Sequence, residues 1–106
     1  MKAGLLRLCR REDLEAGTVR RFDVEGHRLA LVRVGDSFYV LGDRCSHANY
    51  SLSEGEVLPE DLEIECPKHG STFSLLTGAA CSLPATQPVP TYRVVVEGDD
   101  VLVELA

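Results

Sequence analysis

The sequence predicts a small all-β fold, a sandwich or barrel, on three observations. Turn dipeptides recur at short spacing, at Glu25-Gly26, Gly35-Asp36, Thr77-Gly78 and Gly98-Asp99. The runs between them are short and rich in Val, Leu, Phe and Tyr, the residues that suit a pleated, half-buried surface. Only Arg11 to Ala16 looks like a helical turn, and it is too short to organise a domain.

Taken in chain order, the helical turn at Arg11 to Ala16 comes first. Arg28 to Val34 ("RLALVRV") and Ser37 to Leu41 ("SFYVL") then flank Gly35-Asp36, the dipeptide spacing of a tight hairpin. Leu62, Ile64 and Cys66 alternate with Glu63 and Glu65, the period of a strand with one buried face. Prolines 84, 88 and 90 impose a stiff extended passage. Tyr92 to Glu97 and Val101 to Leu105 form a last hairpin about Gly98-Asp99-Asp100, with Val101, Val103 and Leu105 on one face and Glu104 on the other.

A chain of 106 residues holds one core, so residues 1–106 read as a single domain. Hydrophobic residues make up 44% and charged residues 26%, the balance of an ordinary soluble protein. No apolar run approaches the roughly 20 residues that span a bilayer. The start, Met1 to Arg7, lacks the apolar core of a secretory signal, and a cytoplasmic location is expected. A net charge of −6 and a pI near 4.9 argue against nucleic acid or an anionic membrane as partner. Eight of the eleven bases fall between Lys2 and Arg33, whereas Glu54, Glu56, Glu60, Asp61, Glu63 and Glu65 form an acidic run, either a solvated face or a docking patch for a basic partner.

The four cysteines, in a chain expected to stay in a reducing compartment, point to metal ligation before disulfides. Two of them stand beside histidines, as Cys45-Ser46-His47 and Cys66-Pro67-Lys68-His69, with eighteen residues between His47 and Cys66. Each pair follows a predicted strand, so both fall on loops set on a sheet. Two thiolates and two imidazoles complete either a tetrahedral zinc site or the ends of an iron–sulfur cluster. Structural zinc sites usually pair like ligands within one loop. Here each loop supplies one of each, which suits a two-iron cluster with the cysteines on one iron and the histidines on the other. His27 has no partner at ligand spacing and reads as a surface polar residue. Cys9 and Cys81 read as small buried hydrophobes.

Those residues resemble the Rieske [2Fe–2S] signature, C-x-H followed by C-x2-H-G. "SLSEG" at 51–55, "HGSTF" at 69–73, "TG" at 77–78, Leu83-Pro84 and the terminal "VVVEGDDVLVEL" extend the resemblance over roughly residues 5 to 105, toward small Rieske-type ferredoxins. The resemblance implies a Rieske-type β-sandwich or barrel with a cluster-binding subdomain of two ligand loops, about 43–50 and 64–74. It implies Cys45 and Cys66 as thiolate ligands of the inner iron and His47 and His69 as neutral ligands of the outer one. Neutral imidazoles in place of two thiolates make the cluster less negative, which raises Rieske potentials to roughly −150 to +300 mV as a class. High-potential respiratory members carry an extra cysteine in each loop and a Ser and a Tyr that donate to the cluster sulfurs. This chain has Tyr50, Lys68 and Phe73 at three of those places and keeps Ser71, so the low end of the range is expected. Tyr50 and Phe73 read as packing around the cluster, and Gly70 as a close backbone approach to it. "LPED" at 58–61 lengthens the spacer and is expected as an exposed extension.

The resemblance further implies a monomeric one-electron carrier and not an enzyme in its own right. It would work between a flavin-dependent ferredoxin reductase and the terminal oxygenase of an aromatic-ring dioxygenase system. A nitrite reductase subunit, an iron–sulfur-assembly-associated protein and a structural zinc module are the alternatives. The sequence offers no nucleotide-binding glycine loop, no acid/base pair and no second metal motif, so a complete oxygenase is not expected.

Overall fold

The chain enters through β1 (Leu5–Arg10) and a single 3₁₀ turn (Arg11–Asp13), and then forms two hairpins in succession. β2 (Thr18–Val24) turns at Glu25-Gly26 into β3 (His27–Val34), with Val24 opposite His27; β3 turns at Gly35-Asp36 into β4 (Ser37–Gly42), with Val34 opposite Ser37. A second 3₁₀ turn (Leu52–Glu54) leads to three short strands, β5 (Glu56–Leu58), β6 (Glu63–Glu65) and β7 (Thr72–Ser74). A third long hairpin, β8 (Thr91–Glu97) and β9 (Asp100–Glu104), closes the chain, and Asp100 is its first strand residue and not part of the turn. The computed structural model describes residues 5–44, 51–67, 70–81 and 87–105. The expected ligands Cys45, His47 and His69, with Tyr50, Lys68 and Leu83-Pro84, lie outside the described residues.

The long strands form one antiparallel sheet in the order β1-β9-β8-β4-β3-β2, and the short ones a second sheet in the order β5-β6-β7. Leu5 pairs with Glu104, so the two ends of the chain meet in the β1–β9 ladder, which a bulge between Arg7 and Cys9 interrupts. β4 and β8 are joined at only two positions, Val40 opposite Tyr92 and Leu41 opposite Thr91, a narrow seam within the six-stranded sheet. All-β architecture is thus as expected.

The central hairpin is buried on both faces. Leu29, Ala30, Leu31 and Val32 are all fully buried, which explains why "RLALVRV" shows no clean alternation. Leu29 and Leu31 face one core with Phe38, Val40, Val101, Val103, Cys9 and Leu14. Val32 and Leu41 face the other, shared with Leu52, Val57, Ile64, Cys66, Phe73, Leu75 and Val89. The β3–β4 hairpin is therefore a wall between a core inside the curled sheet and a core beneath the small sheet. The second core ends at Cys66.

Arg33 fastens the N-terminal segment to this wall. Its guanidinium donates to the carbonyls of Arg11 (3.0 Å), Leu14 (2.8 Å) and Gly35 (2.8 Å), and stacks over the Phe38 ring with 5.4 Å to the centroid. His27 opens β3 and is not a turn residue. It is half-buried, with its ring edge-on to Tyr92 at 6.0 Å. Of "LPED", Leu58 is the last residue of β5 and half-buried, whereas Pro59, Glu60 and Asp61 are exposed as expected in the connection to β6.

Candidate metal centre

The second of the two expected ligand loops grows from β6. Leu62 lies before the strand with φ +53°, a turn residue and not the strand residue its spacing suggests, although its side chain still packs on the core. Ile64 then points inward and is fully buried, with Glu63 and Glu65 half-buried on the opposite face. Cys66 returns to the inward side, 1% exposed. Its N–H donates to the Ser71 carbonyl (2.7 Å) and its carbonyl accepts the Gly70 N–H (3.1 Å), so the loop is closed at its base where Glu65 pairs with Thr72. Gly70 adopts φ +73°, a conformation that favours glycine, and a Cβ there would sit 3.3 Å from Glu65 Oε2. Ser71 and Phe73 are fully buried, Phe73 within the core that holds Cys66.

The first loop is bounded by Asp43 and Ser51. Both are buried, and hydrogen bonds hold the chain on either side of the loop: Ser53 N–H and Oγ donate to the Asp43 carboxylate, and Arg28 Nη2 donates to Ser51 Oγ. The sequence marks none of these residues as loop supports, although Ser51 and Ser53 fall within "SLSEG". The one available signal is a carboxylate two places before an expected ligand cysteine, and it does not show that the carboxylate is buried.

Gly55 brings the two loops together. A Cβ on Gly55 would overlap the Glu65 carbonyl oxygen, so the residue that leaves the first loop's 3₁₀ turn lies directly on the backbone that precedes Cys66. Between them opens a groove of about 900 Å³, lined by Gly17, Thr18, Val19, Ser53 to Val57, Glu65 to Pro67 and Gly70. Glu54 and Glu56 are exposed on its rim, and Glu56 stands directly opposite Glu65 in the β5–β6 ladder. Like charges opposite one another destabilise a ladder, so packing does not account for this pair.

Cys66 has the chemistry a metal thiolate needs. It is a buried thiol at the neck of a backbone-closed loop, beside a glycine that leaves room, and apolar side chains lie beneath it. Among the described residues, Cys66 and its surroundings fit one thiolate ligand of an iron–sulfur group. The other two described cysteines do not. Burial, and then the Asp13 carboxylate, raises the Cys9 pKa; partial loss of solvation, and then a hydrogen bond and charge from Glu63, raises that of the otherwise exposed Cys81. Both therefore stay protonated at neutral pH. Cys9 is buried as expected, but Cys81 is exposed. Ala80 pairs with the buried Phe73 and so faces the core, which turns the next side chain, Cys81, outward.

Comparison with known proteins matches residues 4–93 to the Rieske [2Fe-2S] domain. The chain is similar to the 3-phenylpropionate/cinnamic acid dioxygenase ferredoxin subunit of Shigella boydii serotype 4 (strain Sb227), with 46% identity over 97 residues that cover 92% of this chain and 90% of the relative. The fold is similar to the ferredoxin of carbazole 1,9a-dioxygenase from Nocardioides aromaticivorans IC177, with 40% identity, a TM-score of 0.95, and coverage of 98% of this chain and 100% of that one. A further similar structure is a complex of reduced oxygenase and oxidized ferredoxin in carbazole 1,9a-dioxygenase, at 42% identity and a TM-score of 0.86, with 95% of this chain and 93% of that one covered.

Proposed function

The chain belongs to the Rieske [2Fe–2S] domain family, and from that membership we propose that it is the ferredoxin of an aromatic-ring dioxygenase system, a one-electron carrier that delivers electrons to a terminal oxygenase. It is an electron-transfer component and not the oxygenase. The observation that carries the reading is its match, along nearly its whole length, to dioxygenase ferredoxins, with Cys66 at the neck of the C-x2-H-G loop. The proposal takes residues 1–106 as one domain with ligand loops at about 43–50 and 64–74. It takes the carrier as a monomer in the cytoplasm, and a flavin-dependent ferredoxin reductase as the donor. Among the described residues no helix is long and apolar enough to cross a membrane.

When bound, a [2Fe–2S] cluster supplies a reversible one-electron centre. Cys45, Cys66, His47 and His69 would hold it, the thiolates on one iron and the imidazoles on the other, with Ser71 beside it. Leu41, Leu52, Ile64 and Phe73, all fully buried, keep water from reaching Cys66 through the core. An apolar shell of this kind lowers the local dielectric and helps set the potential. Phe73 has no hydroxyl to offer a cluster sulfur, which supports a low potential. Phe73→Tyr is expected to raise the midpoint potential measured by protein-film voltammetry; an unchanged or lower value contradicts this account.

The acidic groove supports a basic docking surface on the partner. Glu54, Glu56 and Glu65 line it, and Glu63 does not. Glu56→Lys is therefore expected to slow electron transfer to the oxygenase at low salt, with the difference fading as salt screens it, and Glu63→Lys to have the smaller effect. Equal rates for Glu56→Lys and the parent at low ionic strength would return the acidic run to a solvated face. The function itself is tested by reconstitution. Added to a ferredoxin reductase and the terminal oxygenase of an aromatic-ring dioxygenase, the purified chain should restore product formation. A chain that accepts electrons from the reductase but never passes them to the oxygenase overturns the assignment.

A further inference from the structure

Asp43 is a fully buried carboxylate, and a buried charge is costly unless it is well hydrogen-bonded. Its oxygens accept two bonds from one residue, Ser53 N–H to Oδ1 at 2.6 Å and Ser53 Oγ–H to Oδ2 at 3.0 Å. Among the described residues the nearest cation, Arg21 Nε, stands 3.7 Å from Oδ2 on a side chain 41% exposed, and so contributes little. The charge is held by the chain that returns from the first ligand loop, and the Ser53 N–H is one that the start of a 3₁₀ turn leaves without an internal partner.

Asp43 is itself fixed on the sheet. Its N–H donates to the Arg28 carbonyl (2.9 Å), and the preceding Gly42 N–H donates to the Pro90 carbonyl (2.9 Å). Arg28 adds a second tie from the same strand end, since its Nη2 donates to Ser51 Oγ at 2.9 Å. The chain entering the loop and the chain leaving it are thus anchored to one another and to β3. The geometry points to Asp43 as a positioning residue for the first ligand loop, one that sets the spacing of the loop's two ends and through it the placement of Cys45 and His47. This inference rests on the ligand set proposed above.

The test uses the cluster-loaded protein and two readouts, the g-values of the reduced form by EPR and the release of iron to a ferrous chelator. Asp43→Ala removes both acceptors and is expected to weaken iron retention about 10- to 100-fold, with shifted g-values, the usual scale for a lost partner behind a metal ligand. Asp43→Asn keeps one acceptor oxygen and should fall between Asp43→Ala and the parent. Ser53→Ala keeps the backbone bond and should show a smaller shift. Leu14→Ala, buried in the core away from Cys66, controls for a general loss of stability and should lower the unfolding midpoint with parental g-values. If Asp43→Ala does not accumulate, Asp43→Asn and Ser53→Ala carry the test. Parental g-values and iron retention in both overturn the positioning role. A parent chain without iron and sulfide overturns the ligand set, and this inference with it.

Discussion

Cys66→Ala is expected to leave a folded chain that binds no iron–sulfur cluster, with iron and acid-labile sulfide absent and electron transfer lost. Cys66 sits where the small-sheet core ends and the ligand loop begins, 1% exposed, so nothing from solvent can take the place of its thiolate. The packing lost with one sulfur atom is small, about 1 kcal/mol, the centre of the range for single substitutions. Loss of the bound group is the larger effect, because metal-binding free energy adds to folding free energy in a small domain. Cys9→Ala and Cys81→Ser are the controls. Both thiols are protonated at neutral pH and neither lies in a ligand loop, so both variants should keep a full complement of iron. Full iron content in Cys66→Ala, measured with a ferrous chelator after acid release, would show that the loop does not ligate.

Gly55→Ala, outside the expected ligands, is expected to be strongly damaging. The new methyl would overlap the Glu65 carbonyl oxygen, and that atom is backbone, paired within a short ladder, so it cannot swing aside as a side-chain tip can. Either β6 moves away or the 3₁₀ turn at Leu52–Glu54 does, and each movement separates the frames of the two ligand loops. Overpacking of this kind costs about 1–3 kcal/mol, occasionally more. That is a large share of the roughly 5–15 kcal/mol that holds a domain folded. Denaturant unfolding of the loaded protein should show a lower midpoint, and iron should leave faster under chelator. A midpoint equal to the parent's would mean that the two frames are not held in contact through Gly55.

The parts of the fold visible in the sequence are those written locally. Glu25-Gly26, Gly35-Asp36 and Gly98-Asp99 each close a hairpin whose strands lie next to them in the chain, so turn chemistry and short apolar runs suffice. The β1–β9 ladder joins residues from opposite ends of the chain, and no local pattern announces it. β5 and β7 are three residues each, too short for alternation to register, and Leu62 follows the alternation of β6 while occupying a turn. The double burial of β3 hides its period altogether.

The proposed ligand motif stands out in the sequence because metal chemistry restricts both residue type and spacing. Its support does not. Asp43 and Ser53 are ten positions apart and belong to residue types usually found on surfaces, and only the fold turns them inward to meet. Cys9 and Cys81 look alike in sequence. A ladder bulge precedes one and an isolated bridge precedes the other, and they end on opposite sides of the buried boundary.

The most direct test of the account is the EPR spectrum of the dithionite-reduced, anaerobically purified protein, taken with its iron and acid-labile sulfide content. The account predicts equimolar iron and sulfide and the axial-to-rhombic signal of a reduced [2Fe–2S] centre with mixed cysteine and histidine ligands. A colourless protein that holds one zinc ion and gives no such signal would contradict it.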